Sequence, residues 1–253
     1  MRKSASRVFI LYSVGKKHIT YLHYLTVKVP ETPASTHRLQ GFSDAVFAFA
    51  CTLLVVSLEA PKNFAELTAD LRGFVAFGLA FAMLIQIWSA HHKLFRRFPI
   101  DDAWAVFLNA CLLFTVLLFV YPLKFLAVGV VGNVFGFGGH VDQGINSKAQ
   151  LAELFIFYGI AFASVFGLIA ALYMHANRTS RRAGLQSEAL VAADQMRHYL
   201  VLSAVGCLSI LCSALGIGLQ YGLPGWIYTL LGPAAWVNGV LTGRRQRRAS
   251  SPP

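Results

Sequence analysis

Six long, predominantly apolar stretches, at residues 42–58, 71–91, 103–123, 151–175, 199–221 and 226–241, constrain this chain more than any other feature. A helix rises about 1.5 Å per residue and a bilayer's hydrocarbon core is about 30 Å thick, so a crossing takes about 20 apolar residues. The runs meet or approach that length, the last being the shortest. Backbone amides in lipid must be satisfied internally, which leaves helices or a closed barrel, and these runs lack the period-2 alternation of barrel strands. The expected fold is therefore all-α, a polytopic membrane protein with six transmembrane helices. Composition agrees: 56% of residues are apolar and only 13% charged, whereas soluble domains carry about 25% charged residues.

The net charge of +11 would suggest a nucleic-acid partner if the bases were mixed among polar residues, but they sit between apolar runs, so none is expected. With six spans, 18 of the 22 Lys and Arg fall on one side: the leading segment, the second and fourth links and the tail. The positive-inside rule then places both termini in the cytoplasm of a multi-pass cell-membrane protein. Residues 1–37 read as a basic cytoplasmic arm, 38–242 as the membrane domain and 243–253 as a basic cytoplasmic tail. Arg2 and Lys3 ahead of an apolar patch loosely mimic a signal peptide, but no clear small-residue cleavage site follows. An over-extended gene start is the other alternative.

Cys51, Cys111, Cys207 and Cys212 all lie inside apolar stretches without CxxC or Cys/His ligand spacing, and read as small buried hydrophobes. No metal and no cofactor is expected. The longest non-spanning piece, residues 124–150, contains Gly136-Phe137-Gly138, a fragment similar to the carbonyl filter of ordinary potassium channels. It lacks the threonine-containing lead and the pore helix, so a flexible outer loop is the expectation.

Ionisable groups inside spans are expensive and therefore candidates for function. Asp44 stands about a turn inside the first span, where an unpaired carboxylate costs about 2.5 to 3.5 kcal/mol. It either meets a partner on another helix or acts as a first-turn acid favoured by the helix dipole. Arg38 lies nearly two turns earlier, better placed for a neighbouring helix than for Asp44 itself. At the foot of the second span come Trp88, His91 and His92, and the topology puts them at the same membrane face as Asp44, so a carboxylate and an imidazole can meet there. Trp88 and His92, four apart, share a helical face. Asn109 in the third span can extend the network. Adjacent histidines on a helix point about 100° apart and do not chelate one ion. Gln86, Lys124 and Glu153 read as interface groups that snorkel.

Taken together, Arg38-x-x-x-Phe42-Ser43-Asp44, Trp88-x-x-His91-His92-x-Leu94-Phe95 and the stretch from Leu108-Asn109 to Pro122 resemble the transmembrane protein 175 family of potassium channels. The resemblance covers the first three spans, the remainder agreeing by topology. It implies a prokaryotic single-repeat channel, a homotetramer whose first span lines a central pore without a carbonyl filter. Selectivity and gating would then come from side-chain rings at Phe49, Leu53 and Val56, with Thr52 as the hydroxyl neighbour. Their i, i+4, i+7 spacing puts the three on one helical face, which suits a pore stripe and equally suits a packing face. The first ring position is usually a branched aliphatic in that family and is Phe49 here. The resemblance further implies that Arg38, Phe42, Ser43, Asp44, Trp88, His91, His92 and Asn109 brace the pore helix rather than touch the ion.

The expectation is thus a potassium-permeable channel, with potassium as the permeant ion, the lipid bilayer as partner and no enzymatic chemistry. Proton permeation is a related possibility. A secondary transporter is the rival from another class, for which Pro233 in the sixth span is a weak sign of a broken helix. A membrane-bound redox or metal enzyme comes third.

Overall fold

The computed structural model describes residues 34–56, 63–134 and 144–230. The arm before residue 34, the Gly136-Phe137-Gly138 loop and the span from 231 onward, with the tail, lie outside the described residues. Within them the chain is helical, with no strand: α1 Ala34–Val56, α2 Phe64–Arg97, α3 Ala103–Gly129, α4 Lys148–Arg182 and α5 Gln186–Ala214. Each of the five contains a segment long and apolar enough to cross a membrane. After α5 come a 3₁₀ turn at Leu219–Tyr221, the short helix α6 at Leu223–Trp226 and a second 3₁₀ turn at Ile227–Leu230.

The helices outrun the apolar stretches because helical backbone continues into the polar flanks. α1 starts at Ala34, eight residues before the expected span and inside the expected arm. The fourth span extends to Arg182, so that α4 is about 52 Å long. The expected fourth link shrinks to Ala183–Leu185, and Arg178, Arg181, Arg182 and Arg197 are all helical. The fifth span moves most. The expected 199–221 becomes Gln186–Ala214, because Gly216 takes φ 69° and closes a Schellman cap: Gly216 N–H bonds Ser213 O at 3.1 Å and Ile217 N–H bonds Cys212 O at 2.9 Å. Gly184, at φ 74°, ends α4 in the same way, with bonds to Arg181 O and Ser180 O. Residues 215–221 are as apolar as a helix, so hydropathy does not reveal this stop.

α1, α2 and α3 pack mutually, α4 packs on α3, and α5 pairs along the length of α4. The core of the first unit is a stripe from each helix, including Phe47, Ala50 and Leu54 of α1 and Ala76, Ala80 and Leu84 of α2. The α4–α5 seam is built on small residues. A Cβ on Gly206 would stand 3.0 Å from Ala163 N and 3.1 Å from Gly159 O, and the Ser203 hydroxyl donates to Ala163 O at 2.9 Å. Tyr158 OH ties α4 to α3 by donating to Pro122 O at 2.6 Å.

One end of the bundle carries a polar belt. Asp102 caps α3 at Ala105 N and also receives His175 Nε2 of α4 at 2.8 Å. Arg97 at the foot of α2 pairs with Glu188 at the head of α5 at 2.9 Å, and Ser35 at the head of α1 bonds Asp101. Five helix ends meet there, together with most of the bases of the described chain.

Candidate functional site

α1 has two faces. Thr36, Ser43, Phe47, Ala50 and Leu54 are buried against α2 and α3, whereas Arg38, Phe42, Ala45, Phe49, Thr52 and Leu53 form one exposed stripe on the opposite side. Their spacing of three, four and seven residues keeps each set on its own side of the helix. Exposure separates them sharply: Ser43 is 0% exposed, Phe42 63%, Phe49 57% and Leu53 37%.

Behind the exposed stripe, three hydrogen bonds join three helices and a fourth lies within α1. Trp88 Nε1 of α2 donates to Asp44 Oδ1 of α1 at 2.8 Å. Asn109 of α3 turns its amide nitrogen to Ser43 Oγ at 2.9 Å, and Ser43 Oγ passes its own proton to Leu39 O at 2.9 Å. The Asn109 carbonyl therefore faces His91, whose Nε2 donates to it at 2.7 Å. That run of donors fixes the imidazole as the Nε2–H tautomer. His91 and Asn109 are 2% and 1% exposed, so each bond replaces one that water cannot supply. His91 lies between Phe47, ring centroids 5.5 Å apart, and Phe95 at 4.7 Å, and Trp88 stacks on His92 at 5.3 Å. Nδ1 of both His91 and His92 is buried without a hydrogen-bond partner among the described residues.

The structure thus brings together Ser43, Asp44, Trp88, His91, His92 and Asn109, with a pairing that differs from a carboxylate meeting an imidazole. Trp88, one turn before His91, takes the carboxylate, and the imidazole takes the amide. Arg38 and Phe42 stand apart from this brace. Both line an open cleft with Ser35, Leu39, Asp101 and Val106 on the exposed side of α1. Of the expected ring positions, Phe49, Thr52 and Leu53 lie on the exposed stripe, and the Thr52 hydroxyl is bonded back to Ala48 O at 3.0 Å. Val56 closes α1, and its side chain lies outside the described part.

Sequence reasoning missed the aromatic cage of Phe47 and Phe95, whose signal is an aromatic four residues beyond His91 on the same face. It missed the belt of Asp102, His175, Arg97 and Glu188 as well. Asp102 was legible as an N-cap, an acid immediately before an apolar helix. Among the described residues no group of three or more His, Cys, Asp or Glu side chains is placed to hold a metal.

Residues 38–122, which contain the whole brace, match the family described as endosomal/lysosomal potassium channel TMEM175. A potassium channel of Marivirga tractuosa is 31% identical over 226 residues, covering 83% of this chain and 89% of that protein. A potassium channel of Chamaesiphon minutus is 32% identical over 109 residues, 40% of this chain and 53% of that protein. The crystal structure of a variant of the potassium channel MtTMEM175, in complex with a nanobody–MBP fusion protein, superposes with a TM-score of 0.71 at 31% identity, over 82% of this chain and 93% of that one.

Proposed function

The chain belongs to the TMEM175 family of potassium channels, and on that premise we propose that four copies stand around a common axis with α1 innermost and potassium passing along its exposed stripe. The observation that carries this reading is the division of α1. A polar brace pins one face to α2 and α3, leaving the other, with Phe42, Ala45, Phe49 and Leu53, unpartnered in the protomer. A helix held so firmly from behind is suited to present a fixed wall. Phe49 and Leu53 form a side-chain constriction that gates by excluding water, and Thr52 stands beside them; the pore has no carbonyl filter. Arg38, Phe42 and Asp101 line its inner mouth.

The reading includes six spans. By Tyr228 the chain lies against Phe162 of α4, ring centroids 5.0 Å apart, and six spans would put the tail on the same side as the belt end. That end is cytoplasmic, with the arm at 1–37 and the tail at 243–253 on the same side, following the positive-inside bias in a cell membrane. Native mass spectrometry of the purified protein is expected to give four times 27.7 kDa. A monomer would overturn the pore. Leu53→Ala is expected to raise potassium and sodium leak in liposomes several-fold, and unchanged flux would remove Leu53 from the ion path.

A further inference from the structure

The belt end of the molecule holds bases in excess of acids, and the acids found there are already engaged. Asp101 takes Ser35, Asp102 takes His175, Glu188 takes Arg97 and Asp194 takes Arg197. Arg178, Arg181 and Arg182, at the end of α4, are exposed and have no carboxylate partner among the described residues. Their i, i+3, i+4 spacing puts them on one side of the last turns. The same side, one turn back along α4, exposes Met174. A cationic patch thus sits one turn beyond an exposed apolar side chain on the same helix.

We propose that the inner end of α4 binds an anionic phospholipid, its phosphate held by Arg178, Arg181 and Arg182 and its acyl chains passing Met174, one turn further into the membrane. Guanidinium groups suit the phosphate because they offer two parallel donors each. The phosphate would also relieve the mutual repulsion of three cations within one turn. The helix dipole also favours cations at this terminus, but about half a negative charge does not offset three guanidinium groups. This inference stands apart from the pore: it is read by lipid retention, so its failure leaves the channel reading untouched.

The experiment is native mass spectrometry of the full-length protein in detergent with phosphatidylglycerol and phosphatidylcholine at equal concentration. Phosphatidylglycerol is expected to be retained preferentially, by up to about a hundredfold, since each base near the surface contributes roughly fivefold. R178Q/R181Q/R182Q should abolish the preference, and each single Arg→Gln change should lower it about fivefold, which keeps the test open if the triple variant does not fold. K93Q/R96Q, on α2, should leave it unchanged. Equal retention of the two lipids by the wild type, or a triple variant that prefers phosphatidylglycerol as the wild type does, would overturn the proposal. Displacement of the lipid by millimolar glycerol 3-phosphate would reassign the site to a soluble phosphate.

Discussion

Asn109 is the residue on which the brace turns. Its side chain accepts from His91 and donates to Ser43, and so links α2 to α1 through α3. Asn109→Leu keeps the branching at Cγ and removes both bonds, leaving a buried imidazole N–H and a buried hydroxyl short of a partner. The expected loss is about 1 to 3 kcal/mol, toward the lower figure because membrane hydrogen bonds average less than about 1 kcal/mol each. Thermal melting in detergent, followed by tryptophan fluorescence, reads it; a melt unchanged from wild type would mean that the brace orients α1 without stabilising the fold. The residues of this site were legible because a polar group inside an apolar run is rare. Their pairing was not, since it depends on which turn of α2 meets α1: Trp88 reaches Asp44 and His91 does not, a matter of helix rotation that spacing leaves open.

At the scale of elements, the α4–α5 hairpin depends on close backbone approach rather than on side-chain burial. Gly206 is hemmed in by backbone atoms of Ala163 and Gly159, which cannot move aside as a side-chain tip does. Gly206→Leu is expected to separate the helices and abolish recovery of folded protein. Gly78 on α2 has nothing within 4 Å of where its Cβ would stand, so Gly78→Ala should be neutral or stabilise by about 0.4 to 1 kcal/mol. Comparable melts for Gly206→Leu and Gly78→Ala would refute the tight seam. The five long helices were readable from hydropathy because lipid demands length and apolarity. Their ends were not: α5 stops at Ala214 through a left-handed glycine inside apolar sequence, and α4 runs seven residues past the apolar limit because arginines are good helix formers.

Across the whole molecule, the belt joins the three-helix unit to the hairpin. Its two long-range polar pairs differ in what they carry. Arg97 and Glu188 are half-exposed, so Glu188→Gln should cost less than about 1 kcal/mol. Asp102 caps α3 and holds His175 at once, and Asp102→Ala should cost about 1 to 2 kcal/mol. Limited trypsin digestion at Arg181 and Arg182 checks the order: the Asp102 variant should be cut faster than the Glu188 variant, and the reverse order would show that the cap contributes little. The side of the bundle on which this belt lies was legible, because the bases of the even links gather there under the six-span reading. That Asp102 answers His175 and Glu188 answers Arg97 was not, because each of these pairs joins residues far apart in the chain.

By itself the sequence determined that the chain lives in a bilayer, that it is helical, which end carries the positive charge, and which few polar side chains inside the spans needed partners. All of these follow from the cost of exposing backbone amides and charges to hydrocarbon, a cost that each segment bears locally. Only the tertiary structure decided how the helices are rotated about their own axes: that Ser43 and Phe47 of α1 turn inward while Phe49 and Leu53 turn outward, and that Arg38 and Phe42 leave the brace for the open side. In an all-apolar helix every face is equally at home in lipid. Rotation is therefore settled by close packing and by a handful of hydrogen bonds between helices, and neither exists until the neighbours are in place.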